Sequence, residues 1–280
     1  MRDIKISDIT NTIKGLCIKA NCYLGDDMKK ALELAYENEE SETGKSILDK
    51  IIENSKIAKQ DSIAMCQDTG MAVVFLEIGQ DVHFVGGMLE DAINEGVRMG
   101  YKEGYFRNSV VEDPIKRENT GDNTPAVIHY QLAKGDKVKI QVVPKGFGSE
   151  NMSALAMLKP SDGVEGIMKF VIETVEKAGS NPCPPIVVGV GIGGTMEKAA
   201  FLAKKSLLRP IDKENSRKDL NELEQQLLEN INKLGIGPQG LGGRTTALKV
   251  NIQTYATHIA GLPVAVNINC HASRHAEAIL

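Results

Sequence analysis

The stretch that decides the fold lies at residues 184–208 and reads PPIVVGVGIGGTMEKAAFLAKKSLL. Its first part, Pro184–Val190, is apolar and rich in β-branched residues, which predicts a buried strand that ends in a glycine turn. Its last part, Met196–Leu208, spaces its apolar residues as a helix does. A strand followed by a helix is one β-turn-α unit, so the sequence predicts an α/β fold.

The glycines of this stretch, Gly189–Gly194, have the G-x-G-x-x-G spacing of a dinucleotide-binding fingerprint. That fingerprint also needs an acidic residue about 20 positions later, at the end of a second parallel strand. Residues 209–214 read RPIDKE and contain no apolar strand. We therefore favour a tight strand-to-helix turn, with a nucleotide-binding module as the weaker alternative.

Patterns on both sides of this unit predict the remaining elements. Residues 7–60 follow helical spacing, and Ala126–Leu132 and Lys137–Val143 alternate around a turn signal, which predicts an antiparallel hairpin. Further predicted elements are strands at Met71–Ile78, Ala247–Thr254 and Pro263–Ile268, a helix that opens with a capping box at Asp162–Glu165, and a charged helix at Lys213–Leu234. The expected architecture is one domain over residues 1–280. It has a helical opening over about 1–60 and a mixed β-sheet flanked by helices over about 61–280.

Composition excludes several classes of protein. The chain has 280 residues, 42% hydrophobic and 25% charged, which is typical of a globular protein. No stretch approaches the roughly 20 apolar residues of a membrane span, and no signal peptide is recognisable at the amino terminus. A net charge of −4 argues against a nucleic-acid partner. We expect a cytoplasmic protein.

The five cysteines are odd in number, and the chain lacks a secretory signal, so disulfides are not expected. Cys66, Cys183 and Cys270 each lie in a turn-rich stretch beside an apolar run, where α/β proteins place chemistry. Cys17 and Cys22 instead follow a helical pattern, which favours a packing role.

Two further features bear on ligand chemistry. His271 and His275 have a zinc-like H-x3-H spacing beside Cys270, but no second close pair completes such a site, so zinc is disfavoured. Four polar segments near these cysteines together suit a carboxylate ligand, because they supply cations, amide donors and glycine backbone N–H groups. They are Gln67–Asp68, Arg107–Ser109, Asn119–Thr124 and Lys145–Asn151.

Six segments follow in order from Cys66 to the carboxyl end: Cys66–Gly70, Asn119–Pro125, Lys145–Asn151, Asn181–Pro185, Gly237–Gly243 and Cys270–His275. Together they resemble the class I iron–sulfur fumarases and their tartrate dehydratase relatives.

The resemblance implies a [4Fe–4S] cluster with three protein ligands, Cys66, Cys183 and Cys270. The fourth iron would then be open and could act as a Lewis acid on the substrate hydroxyl. The resemblance further implies proton chemistry for Asp68. It implies substrate contacts for Gln67, Arg107, Gly148 and His258.

The versions of Lys145–Asn151 and Thr257–Pro263 favour reversible hydration of fumarate to L-malate, with L(+)-tartrate dehydration as the alternative. Single-chain members continue well beyond the third cysteine, whereas this chain stops ten residues after Cys270. The resemblance therefore implies an α subunit whose β subunit carries the remaining catalytic groups. The expected assembly is a heterotetramer, with a homodimer when α is alone.

A different class of function stays open at this point. An iron–sulfur electron carrier would normally want four protein ligands, so Cys17 or Cys22 would have to supply the last one.

Overall fold

The computed structural model describes residues 1–280 and divides into two compact units, although the sequence predicted one domain without an obvious boundary. The first unit comprises residues 1–25, 55–147 and 274–280. The second comprises residues 26–54 and 148–273. Each unit contains its own β-sheet and its own hydrophobic core.

The elements confirm the predicted α/β class with a helical opening. In chain order they are β1 (Arg2–Lys5), α1 (Ile6–Cys22), α2 (Asp26–Asn38), α3 (Glu42–Asp61), β2 (Met71–Gly79), β3 (Val82–Val85), α4 (Leu89–Glu103), β4 (Val127–Ala133), β5 (Val138–Lys145), α5 (Phe147–Glu150), β6 (Ala154–Leu158), α6 (Gly163–Ala178), β7 (Ile186–Gly193), α7 (Met196–Ser206), α8 (Lys218–Asn232), β8 (Ala247–Tyr255), β9 (Leu262–Asn269) and β10 (Ala276–Ile279). No helix combines the length and the apolar character that crossing a membrane requires.

The first unit contains a two-stranded parallel sheet, β1-β3, and a larger sheet with the strand order β10-β5-β2-β4. Strand β2 pairs in parallel with β4 and antiparallel with β5, so β4 and β5 are not neighbours and the predicted hairpin is wrong. The physical reason is burial, because the interior residues 72–76 of β2 are all buried. Such an apolar strand is best placed in the middle of a sheet, with a partner on each edge.

The loop between β4 and β5 must therefore cross the end of β2, and Gly79 allows this. A Cβ atom at Gly79 would lie 2.3 Å from the Gly135 carbonyl oxygen, closer than side-chain atoms tolerate. The Gly79 N–H also donates to the Lys137 carbonyl at 2.8 Å. The turn predicted at residues 133–136 therefore connects two strands that have β2 between them.

The core of the first unit forms between this sheet and the helices α1 and α4. Ile9, Ile13 and Cys17 repeat at helical spacing along α1 and are fully buried. They belong to the same apolar cluster as Val74 of β2 and Ile140 of β5.

The sheet of the second unit has the order β6-β9-β7-β8, with β7 parallel to β8 and antiparallel to β9. The glycine motif lies mostly within β7. A Cβ at Gly189 would come 2.2 Å from the Ala203 carbonyl oxygen, and one at Gly191 would come 2.0 Å from that of Ala199. The glycines therefore let the backbone of α7 pack directly on the strand.

Two helix starts in the second unit differ from the sequence pattern. The Asp162 side chain does not cap α6, because its carboxylate accepts the Lys159 N–H at 2.8 Å and closes the preceding turn instead. Helix α8 begins at Lys218 rather than Lys213. The preceding segment is held away from the helix by Asn215, which donates to the Ile252 carbonyl at 3.1 Å.

Candidate active site

The segment Cys66–Gly70 forms a loop of the first unit that leads into β2. The Cys66 thiol is partly buried, Gln67 is exposed and Asp68 is partly buried. The carbonyl of Asp68 accepts a hydrogen bond from Arg274 Nη2. This contact ties the loop to the segment that begins at Arg274.

The next two carbonyls of this loop are also held by buried side chains. The Tyr101 hydroxyl donates to the Thr69 carbonyl at 2.7 Å and to the Gly70 carbonyl at 3.1 Å. Asn123 Nδ2 donates to the Gly70 carbonyl at 3.1 Å. Burial raises the pKa of Tyr101, so the hydroxyl stays a neutral donor.

The Asp68 carboxylate is fixed by two backbone N–H groups. Oδ1 accepts the Gly70 N–H at 3.1 Å, and Oδ2 accepts the Phe147 N–H at 2.9 Å. A Cβ at Gly146 would lie 3.1 Å from Oδ2, so glycine at that position leaves room for the carboxylate. The segment Lys145–Phe147 therefore orients Asp68.

Arg107 lies beside the same loop in the first unit, because its carbonyl accepts the Thr69 hydroxyl at 3.2 Å. Its side chain is exposed and makes no hydrogen bond or ion pair. Asn123 connects the two segments, since its Oδ1 also accepts the Ser109 N–H at 2.7 Å. Arg107 is thus a cation on an ordered loop, available to a carboxylate ligand.

Cys183 and Cys270 lie at one end of the sheet of the second unit. Cys183 precedes β7 and Cys270 follows β9. Strands β7 and β9 are antiparallel neighbours, and their pairing places Val187 opposite Asn269. The His271 N–H donates to the Cys183 carbonyl at 3.3 Å. The Cys183 side chain is exposed and that of Cys270 is partly buried, so both thiols are accessible.

Gly148 lies against the Cys183 loop, because a Cβ built on it would be 3.6 Å from the Asn181 carbonyl oxygen. Its N–H belongs to the short helix α5, whose Glu150 pairs with Lys204 of α7. Glu150 Oε2 also accepts Asn267 Nδ2 of β9 at 2.9 Å. These contacts fix Gly148 near the cysteine end of the sheet.

His258 lies at the opposite end of this sheet. It follows β8, whose last residue, Tyr255, pairs with Gly193 at the end of β7, whereas Cys183 precedes the start of β7. The eight residues of β7 span about 26 Å at ~3.3 Å per residue. The exposed His258 ring lines a cavity of about 430 Å³ there. Within the second unit, the structure does not bring His258 to Cys183 and Cys270.

The remaining cysteines, Cys17 and Cys22, lie on α1 and are fully buried. Burial raises the pKa of the Cys17 thiol to about 12, and burial also raises the pKa of Cys22 despite the nearby charge of Arg274. Neutral, inaccessible thiols are poor metal ligands, and a packing role follows for both.

No group of three or more His, Cys, Asp or Glu side chains is placed to hold a single metal ion. Ligands to separate irons of a cluster lie farther apart than ligands to one ion, so this finding concerns mononuclear sites such as zinc.

The sequence motifs point to Asp68 and Arg107 but give no separate role to Tyr101, Asn123 or Arg274. Asn123 and Arg274 belong to the quoted segments Asn119–Pro125 and Cys270–His275. Tyr101 carries no sequence signal beyond its place on an amphipathic helix.

Comparisons with known proteins agree with the motifs. The family model described as fumarate hydratase (Fumerase) matches residues 10–279. A Methanocaldococcus jannaschii protein named as a candidate L(+)-tartrate dehydratase subunit alpha is 48% identical over 279 residues, which cover 98% of this chain and 96% of the relative. The L(+)-tartrate dehydratase subunit alpha of Escherichia coli strain UTI89 is 33% identical over 272 residues, 96% of this chain and 89% of the relative. The chain therefore belongs to the fumarate hydratase (Fumerase) family of hydro-lyases, as its six sequence segments predicted.

Proposed function

We propose that the chain is the α subunit of an iron–sulfur hydro-lyase that removes water from a 2-hydroxy dicarboxylate. L(+)-tartrate is the first substrate to test, because the relatives reported above carry that name. The fumarate and L-malate pair, which the sequence segments favoured, is the second, since the matching family model is described as fumarate hydratase.

The donor set supports a cluster held by Cys66, Cys183 and Cys270. All three thiols are accessible and lie in loops at strand ends, whereas the thiols of α1 are sealed in the core. Thiolates are the usual protein ligands of iron–sulfur clusters. When bound, such a cluster supplies a Lewis acid that makes hydroxide a feasible leaving group.

The residues of the first unit supply binding and proton chemistry in this proposal. Arg107 binds a substrate carboxylate through its unpaired guanidinium, and the exposed Gln67 offers a further amide donor. Asp68 moves a proton, because its carboxylate is the one acidic group of the Cys66–Gly70 loop and is held in a fixed orientation. From the second unit, Gly148 offers a backbone N–H that no side chain screens.

The two candidate substrates share the same bond-breaking step. Loss of water from L-malate leaves fumarate, while loss of water from L(+)-tartrate leaves an enol that becomes oxaloacetate. They differ by one hydroxyl group, which a few polar contacts can distinguish strongly. Contacts from a second chain can therefore decide the specificity.

A β subunit completes the site in this proposal, since the relatives are named subunit alpha. Water elimination requires a base that takes the carbon-bound proton as well as a group that receives the hydroxyl. We assign that base to the β subunit and expect an αβ unit that pairs into a heterotetramer. His258, for which a substrate contact is also proposed, lies in the second unit at the end of the sheet opposite Cys183 and Cys270.

The test is anaerobic reconstitution of the α chain with iron and sulfide, followed by addition of the β subunit. We expect cluster absorbance from α alone and turnover of L(+)-tartrate or L-malate only from the complex. The absorbance should also change when substrate is added, which an electron carrier with four protein ligands would not show. A complex that turns over neither substrate would contradict the proposal.

Cysteine variants provide the matched controls. Cys66→Ser, Cys183→Ser and Cys270→Ser are each expected to lose the cluster, while Cys17→Ser is expected to keep it. Full iron content in a folded Cys183→Ser protein would refute the assignment of the ligands.

A further inference from the structure

Arg274 is a charged side chain for which the motif comparison gives no role. It is only 4% exposed, and it lies in the first unit at the start of the segment that forms β10. Its guanidinium makes one hydrogen bond, from Nη2 to the Asp68 carbonyl, and it has no carboxylate partner. Its Nε–H is buried without any acceptor.

This arrangement is energetically unfavourable by itself. Burial of a charge without a counter-ion is unfavourable, and each unsatisfied buried donor adds to that cost. An apolar residue of similar size would remove both penalties. A structural explanation based on stability alone therefore does not account for arginine at this position.

The contact with Asp68 offers a different explanation. The C=O and N–H groups of a trans peptide point in opposite directions, so a donor on the Asp68 carbonyl fixes the whole plane of the Asp68–Thr69 peptide. That plane sets the direction in which the Asp68 side chain leaves the backbone. Arg274 thus controls one of the two peptide planes that flank the Asp68 side chain.

The other donors of the loop act farther along the chain. Tyr101 and Asn123 hold the carbonyls of Thr69 and Gly70, and both are neutral. Among the side chains that bond the carbonyls of this loop, only Arg274 reaches Asp68 itself and brings a charge.

We propose that Arg274 is a positioning residue that holds Asp68 in its reactive orientation through the Asp68 carbonyl. This inference rests on the proposed function, in which Asp68 moves the proton. A displaced catalytic group can cost about 100-fold in rate even when substrate binding is retained. Loss of Arg274 should therefore lower kcat and leave KM largely unchanged.

The test compares Arg274→Gln and Arg274→Lys with wild type in the reconstituted complex. The control is Arg217→Gln, which removes an exposed arginine of the second unit that pairs with Asp219. For each protein, kcat per bound cluster and KM are measured, together with hydrogen exchange of the peptide containing residues 66–70 in the cluster-free chain.

We expect Arg274→Gln to lower kcat per cluster at least about tenfold, with KM within about threefold of wild type. Arg274→Lys keeps one donor and the charge, so it should recover part of the lost kcat. Exchange at residues 66–70 should accelerate in Arg274→Gln and stay unchanged in Arg217→Gln.

The inference is overturned if a folded Arg274→Gln protein retains wild-type kcat per cluster, or if its loss of activity only follows its loss of cluster. If the glutamine variant does not fold, Arg274→Met decides, because it also removes the donor to the Asp68 carbonyl, and wild-type kcat per cluster with wild-type exchange in that variant refutes the role. An inactive wild-type complex would instead refute the proposed function, while the exchange measurement would still report on the contact.

Discussion

Replacement of Asp122 by asparagine tests how the loop that carries Asn123 is held. Oδ2 of Asp122 accepts Arg98 Nε at 2.7 Å, and Oδ1 accepts both the N–H and the hydroxyl of Thr124, at 3.0 and 2.7 Å. Asn123 is the residue that connects this loop to the Gly70 carbonyl. The Asp122→Asn substitution keeps the shape of the side chain and removes its charge.

The magnitude follows from the pKa of this carboxyl. Burial would raise the pKa of Asp122, but hydrogen bonds from Thr124 and Arg98 outweigh it and hold the pKa at about 2, against an ordinary 3.8. That difference corresponds to about 2.4 kcal/mol of stability at pH 7. The side chain is 28% exposed, so solvent screening reduces the expected loss to about 1–2 kcal/mol.

The sign of the pH dependence is fixed by the direction of the pKa difference. Because the folded-state pKa is depressed, the stabilisation is present in full well above pH 3.8 and is lost as the pH falls through 2. Urea unfolding of the cluster-free chain at pH 7 and pH 3 measures it, with the exposed Asp136→Asn as the control. The gap between variant and wild type should fall to about half at pH 3. Equal stability of both proteins at pH 7, or a gap that does not change with pH, would refute the reasoning.

Three further outcomes are expected. Gly191→Ala should destabilise the second unit by several kcal/mol in thermal unfolding, since its Cβ would lie 2.0 Å from the Ala199 carbonyl oxygen. The control is Gly15→Ala on α1, where a Cβ meets no atom within 4 Å, and this substitution should stabilise the protein by up to about 1 kcal/mol. Burial would raise the pKa of Glu39, but four backbone N–H donors lower it, so Glu39→Gln should lose more stability in urea unfolding at pH 7 than at pH 4. Asp68→Asn should keep cluster absorbance while kcat falls at least about 100-fold, because the amide cannot transfer the proton. Near-normal turnover would show that Asp68 only orders the loop.

The elements that the sequence predicts well are those whose apolar pattern lies within one segment of the chain. The β7–α7 unit and helix α6 were placed within a few residues, because apolar periodicity lies within each segment. The strand order of the first unit was not predictable in this way. Strand β2 pairs with segments more than 50 residues later in the chain, and nothing in the pattern of β4 and β5 reveals a strand between them.

The candidate site shows the same limit. Accessible cysteines and the Asp68 segment could be proposed from motifs, because their residue types carry the chemistry. The role of Arg274 depends on its burial and on the carbonyl it contacts, and a buried arginine cannot be distinguished from an exposed one in the sequence. The position of His258 likewise depends on strand direction, which the local pattern does not encode.

The sheet of the first unit has a consequence for protein synthesis. Strand β10 pairs with β5, and more than 130 residues separate the two along the chain. The ribosome must therefore make all of residues 148–273, which belong to the second unit, before the outer edge of β5 can be covered. Until then an apolar strand keeps an open edge, a known starting point for aggregation. We expect chaperone supply to limit the folding of this unit more than that of the second.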